Sequence, residues 1–407
     1  MAHANSANVV QRLDAYLERS GNQHLFIWVD LRGNNHLQRS ISMMDNIISH
    51  VDRWRQFIFI PDSMFPIDRF LLRIEHRAAP NLELFSLSLG AESRKLPPSD
   101  QYTGSPSFEP LILRGGAPQL TTLWFDTSVR RHLPPSSNIT TLHIKKDDSA
   151  VYFTFPPSLS ILNLTTLTLD GEHHGSYMLV TTAPASITTP NLTTLRICNQ
   201  CIHSGLKNWR APLLETLILE RARFGEIAEA PETSMPGKYS FPNLRALVMI
   251  DNEPCSRLSA IVLTHLTSSI KELIISDSRR RPPNGYTLVT ELFNYEYTNQ
   301  GWPRLQEITL NIRSLDQRDP EFLVRCMQTR CQVSHPTLKL DSGLLKIWMI
   351  KHRLCLLELG YLCEIEPLAS SNSTIPIHWP ADLHDGPFYK LFDRLETLNV
   401  PKYSFEE

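Results

Sequence analysis

One phrase recurs along this chain, Pro-Asn-Leu followed by x-x-Leu-x-Leu, and its recurrence narrows the folds open to it more than any other feature. The clearest copies are Pro190-Asn191-Leu192-Thr193-Thr194-Leu195-Arg196-Ile197 and Pro242-Asn243-Leu244-Arg245-Ala246-Leu247-Val248-Met249. Looser copies open their apolar triplets at Leu82, Leu120, Ile139, Leu164, Leu214, Ile270, Leu305 and Leu395. From Leu82 to Leu305 successive openings lie 38, 19, 25, 28, 22, 30, 26 and 35 residues apart. A unit of that size cannot close a core around its own apolar face, so it is stable only when stacked on its neighbours.

Units of about 20–29 residues carrying this leucine pattern are the mark of leucine-rich repeats. The expected fold is therefore an α/β leucine-rich-repeat solenoid, with a curved parallel sheet on its inner face and helices and irregular connections outside. Residues 1–90 read as N-terminal α/β repeats. Within them, helices are expected over 6–20, around Leu37 to Val51 and around Ile67 to Ile74. Strands are expected at Leu25 to Leu31, Phe57 to Ile60 and Leu82 to Leu89, from their apolar periodicity. Residues 91–117 are rich in Pro, Ser and Gly and read as a loop or insertion. Irregular repeats fill 118–320, with a polar stretch at 229–240 projecting from them. Residues 321–407 are expected to form a helical C-terminal cap, with helices at 321–331 and 344–357 and a final strand at Leu395-x-x-Leu398-x-Val400.

The apolar fraction of 42% and charged fraction of 20% belong to a folded chain, and the net charge of −2 offers no field for nucleic acid. No apolar run reaches the roughly 18 residues of a membrane span, and no secretory signal is seen at the start. Seven cysteines at irregular spacing do not form a disulfide framework, so the chain is expected in the cytoplasm or nucleus. Asn138, Asn163 and Asn191 each open an Asn-x-Thr triplet, but these arise from the repeat itself and are not read as glycosylation sites.

In each strand the apolar triplet points into the stack and the residues between point outward. The position between the second and third apolar residues presents Trp124, His143, Arg196, Ile218, Val248 and Ile274, with Ile250 alongside. These seven are the candidate partner-binding residues. Ile218, Val248 and Ile274 would form an exposed apolar row, the kind of patch that binds protein, unless a loop such as 229–240 covers it. One row earlier, Thr122, Thr141, Thr166, Thr194 and Thr216 form a ladder of good strand formers.

Catalytic chemistry is not found. No phosphate-binding Gly loop, nucleophile elbow or His-Glu-x-x-His pair is present, so no catalytic residue or cofactor is assigned and the chain is not read as an enzyme. Cys198, Cys201 and His203 are a weak candidate metal set without a second Cys pair. His173-His174 and Arg279-Arg280-Arg281 read as solvated turns.

Several phrases then carry a family resemblance. Leu17-Glu18-Arg19-Ser20-Gly21, His50-Val51-Asp52-Arg53-Trp54, Ala79-Pro80-Asn81-Leu82-Glu83 and Leu113-Arg114-Gly115-Gly116-Ala117-Pro118 occur here in sequence. Together they resemble the region after the F-box in basidiomycete fungal F-box proteins with leucine-rich repeats. The F-box phrase itself, Leu-Pro-x-Glu, is not seen upstream of Leu17. The resemblance implies a noncatalytic, intracellular interaction module like the substrate-recognition half of a cullin-type ubiquitin ligase. Its partner would be an unidentified protein on the concave face, with a Skp-type adaptor left open because the F-box is not seen. The alternative is a stand-alone repeat scaffold or inhibitor with no ligase role. Neither nucleic acid nor membrane is expected as a partner.

Overall fold

The computed structural model describes residues 9–31, 36–62, 65–87, 112–126, 133–135, 137–145, 161–170, 187–198, 209–222, 241–250, 252, 263–264, 266–276, 292, 302–311, 320–330 and 336–368. Structural statements below refer to these residues. They form an α/β structure built on one thirteen-stranded sheet in which every neighbouring pair runs parallel.

The first strands alternate with helices. α1 (Val9–Arg19) leads to β1 (Leu25–Asp30), α2 (Leu37–Ile48) to β2 (Trp54–Ile60), and α3 (Ile67–Ile74) to β3 (Leu84–Leu87). The reason is the change of apolar period along the chain. In α3, Ile67, Phe70, Leu71 and Ile74 fall at helical spacing and all four are buried. In β2, the alternate residues Phe57 and Phe59 join the main core. Trp54 stacks on Phe57 at 4.1 Å, and Phe57 stacks in turn on Phe70 and Phe85 at 5.8 and 5.7 Å, tying helix and strands together.

From there the strands follow the repeated triplet. They are β4 (Thr122–Asp126), β5 (Thr141–Lys145), β6 (Thr166–Asp170), β8 (Thr194–Cys198), β10 (Thr216–Glu220), β11 (Ala246–Ile250), β12 (Glu272–Ser276) and β13 (Glu307–Asn311). A separate two-stranded sheet pairs β7 (Ile187–Thr188) with β9 (Trp209–Arg210). The first leucine of each triplet lies just before its strand, and Leu120, Leu164, Leu192 and Leu214 are all fully buried.

Two contacts repeat from unit to unit. The signature asparagine donates its side-chain amide to a carbonyl of the preceding unit: Asn138 to Pro118, Asn163 to Ser137 and Asn243 to Pro212 at 2.8 Å, and Asn191 to Leu162 at 2.7 Å. One backbone carbonyl per unit also accepts two N–H groups from the next. Thr121 takes Thr140 and Thr141, Thr165 takes Thr193 and Thr194, and Arg245 takes Lys271 and Glu272. The Asn-x-Thr triplets at 138, 163 and 191 are thus structural clasps, in which the amide already has a partner.

The chain after β13 departs from the sequence reading. α4 (Glu321–Arg330) lies where expected, and Leu323, Cys326 and Met327 are buried. The single helix expected over 344–357 is instead two, α5 (Ser342–Lys351) and α6 (Arg353–Leu362), broken at His352 with φ −130° and ψ 40°. Strands β14 (Thr337–Asp341) and β15 (Glu364–Leu368) extend the sheet, and the sequence reading did not include them. The leading leucine is absent before β14, where His335 stands, and β15 has Leu362 there but Pro367 at the third apolar position, which an edge strand tolerates because one side of its backbone makes no ladder bond.

Of the inserted stretch, 91–111 lies outside the described residues. Ile112 and Leu113 are buried, and Ala78 bridges to Gly116. Gly115 has to be glycine, since a Cβ there would stand 2.8 Å from the backbone nitrogen of Ala78. The stretches 229–240 and 369–407, with the strand expected at Leu395, also lie outside the described residues. Among the described residues no helix is long and apolar enough to cross a membrane.

Candidate functional site

Because the thirteen strands are parallel and in register, the outward residues of the sheet fall into straight rows. The middle row runs through Ser86, Trp124, His143, Thr168, Arg196, Ile218, Val248, Ile274, Thr309, Lys339 and Glu366. The earlier row holds the threonine ladder, Thr122 to Thr216, as the spacing predicts. The later row holds Lys145, Asp170, Cys198, Glu220 and Ile250. The structure therefore brings all seven candidate binding residues onto one face, six in a single row and Ile250 in the next.

Their exposure corrects one expectation. Ile218, Val248 and Ile274 are only 1%, 3% and 9% exposed, and together they make a small apolar cluster separate from the main core, with Ile250 packed against it. They are not an exposed apolar row. Register explains part of this. Strands about 4.8 Å apart place three β-branched side chains shoulder to shoulder, and each shields the next.

On one side of that cluster lies a charged group. Arg196 and Arg221 both pair with the Glu220 carboxylate, the Arg221 contact at 3.0 Å. The side chains of Arg196, Glu220 and Arg221 are 14%, 14% and 18% exposed. Burial pushes the Glu220 carboxyl up, but the two guanidiniums outweigh it and hold the group below its ordinary value. Arg221 adopts the left-handed backbone conformation at φ 49°, and its N–H donates to the Ile250 carbonyl at 2.7 Å.

Cys198 sits beside this group, with its thiol 3.8 Å from a Glu220 oxygen. Burial raises the thiol well above its usual pKa, so it is protonated at neutral pH. Its two suggested companions, Cys201 and His203, lie outside the described residues. Among the described residues no cluster of His, Cys, Asp and Glu could hold a metal ion.

On the other side of Thr168 the face is aromatic. The Trp124 and His143 rings lie 4.0 Å apart at 39°. Burial, then the positive charges of Arg196 and Lys145, keep His143 well below its ordinary pKa and therefore neutral. Nε2 of His143 and Oγ of Ser86, two strands away in the same row, are shut from solvent with no hydrogen-bond partner.

Sequence reasoning missed Ser86, Glu220, Arg221 and Lys339 as features of this face. Glu220 and Ser86 were within its reach, since counting outward from the triplet assigns both. Lys339, which bonds Glu307 at 2.7 Å, was out of reach because its strand was not recognised.

Compared with models of protein families, with curated proteins and with solved structures, the chain matches none at significance.

Proposed function

We propose that this chain is a noncatalytic protein-binding module. On this reading it is a leucine-rich-repeat solenoid that holds a partner protein on the outward face of its sheet, with α4, α5 and α6 belonging to a C-terminal cap. The observation that carries the reading is the middle row. Beside strand formers such as Thr168, Val248 and Thr309, this row carries Trp, His, Arg, Lys and Glu, side chains that strand formation alone does not call for. The sequence phrases shared with fungal F-box proteins add that the partner is a protein delivered to a ubiquitin ligase.

The test is recovery of tagged protein from its own cells, wild type beside Trp124→Ala and Arg325→Ala. Arg325 is an exposed helix residue away from the row and serves as the control. A protein recovered with wild type and Arg325→Ala but reduced at least tenfold with Trp124→Ala supports the reading. Equal recovery with all three removes the face from binding. Skp-type adaptor and cullin among the recovered proteins would support the ligase role, and their absence would leave a stand-alone binder.

A further inference from the structure

The geometry points to the open end of the stack, made by the edge of β15 and an apolar stripe on α6, as a docking surface for residues 369–407 of the same chain. Residues 397–400 add a strand to the edge, and the residues before them cover the stripe. The inference rests on the repeat architecture of the reading above and not on the identity of its partner.

Along the described residues α6 is the last helix and β15 the last strand, so stripe and edge belong to one end of the stack. α6 lies against α4, where Gln328 donates to Glu358 at 2.8 Å, and Leu359 is fully buried. Opposite Leu359, at helical spacing, Leu354, Leu357 and Tyr361 are 82%, 52% and 83% exposed. A solenoid closes on a unit whose outer face is polar. A helix apolar on both sides belongs inside the stack, with a further unit against it.

The sequence beyond Leu368 carries the phrase of such a unit. Phe392-Asp393-Arg394-Leu395-Glu396-Thr397-Leu398-Asn399-Val400 follows the pattern of Trp302-Pro303-Arg304-Leu305-Gln306-Glu307-Ile308-Thr309-Leu310, the stretch that leads into β13. Leu362 and Leu395 lie 33 residues apart, inside the 19 to 38 of the other openings. The connection between them holds Ile375, Ile377, Trp379 and Leu383, apolar residues that suit the stripe.

The strand edge sets the register. Glu364 donates its N–H to the Pro336 carbonyl on the β14 side at 3.2 Å, so by alternation Ile365 and Pro367 turn their backbone polar groups to the open side. Continuing the register of the other strands puts Leu398 beside Ile365 and Asn399 beside Glu366. The Ile365 N–H then donates to the Thr397 carbonyl, and the Asn399 N–H to the Ile365 carbonyl. Pro367 has no N–H to give and Pro401 none to return, so the ladder closes at Val400. The middle row of the face thereby gains Asn399.

The experiment follows amide exchange by NMR in the full chain with isotope-labelled isoleucine, the Ile365 signal being assigned by its loss in Ile365→Val. Docking protects the Ile365 N–H. Leu398→Asp is expected to speed its exchange roughly a hundredfold while moving Ile308 of β13 less than about threefold. Leu354→Asp tests the stripe: a charge there is harmless to a bare helix face, but beneath a docked segment it is expected to speed Ile365 exchange by a similar factor. An Ile365 amide as fast in wild type as in Leu398→Asp overturns the proposal, and so does one left protected by Leu354→Asp. Protection that grows with protein concentration and survives Leu398→Asp assigns the end to a second copy and overturns it too. Partner recovery with Trp124→Ala is read separately, so the protein-binding reading stands or falls on its own test.

Discussion

The asparagine of the repeated phrase shows how a residue can sit on the surface and still hold the fold. Asn191 is exposed, yet its amide reaches back 2.7 Å to the Leu162 carbonyl. Asn191→Ala should cost about 1 kcal/mol, the net worth of one such bond, read as a lower urea midpoint with an unchanged slope. Glu220 is a second case. Glu220→Gln removes the carboxylate that both largely buried guanidiniums share and should destabilise by roughly 3 kcal/mol. Both Glu220 and His143 also set the acid limb of stability. Glu220 is held below its ordinary 4.5 in the folded protein, so the unfolded chain binds that proton first as pH falls. Its contribution is whole above pH 4.5 and is lost as the pH drops below that, through the folded value. His143 is held below 6.5 and behaves alike, so stability begins to fall once the pH passes beneath 6.5. Unfolding midpoints measured across this range should show two declines, the upper removed by His143→Phe and the lower by Glu220→Gln.

At the scale of strands and helices, legibility follows the strength of the pattern. Every signature triplet that falls on described residues heads a strand of the one sheet, because alternating leucines on a short extended segment have a single way to be buried. Two strands escaped because Thr337–Asp341 and Glu364–Leu368 sit beside helices whose apolar residues blur the period. The break at His352 escaped too, since Leu344 to Leu357 is apolar on both sides of it and the sequence carries no Gly or Pro there. Sequence placed the candidate residues on one face correctly, but alternation alone reports direction, not depth. Alternation therefore gives Ile218 as exposed, and the structure buries it. Its burial sets the result of a charge substitution. Ile218→Asp should lower stability by several kcal/mol, a carboxylate having been forced into an apolar cluster, and any loss of binding would follow from unfolding. Circular dichroism melts of Ile218→Asp beside wild type decide this, and an unchanged melt would show the site open to water.

For the molecule as a whole, the sheet has no long-range closure, and each strand is bonded only to its neighbours. The doubled backbone bonds run from the Glu83 carbonyl through to the N–H groups of Gln306 and Glu307. Amide exchange should therefore be slowest in β8 to β12 and faster toward β1 and β15, and Leu217→Ala in the middle should speed exchange on both sides of it. Uniform protection along the sheet, unmoved by Leu217→Ala, would show a single all-or-none unit instead. The asparagine clasp bears on something beyond stability. It fastens the entrances of β5, β6, β8 and β11 to the turn before each and takes no notice of how much chain passes between. Openings 19 residues apart, Leu120 to Ile139, and openings 30 apart, Leu214 to Leu244, are joined by the same bond. In genetic terms, connecting segments can be lengthened, shortened or exchanged by small insertions and deletions without disturbing the reading frame of the surface. The row of outward-facing side chains can then drift residue by residue while the spine that presents it stays in step.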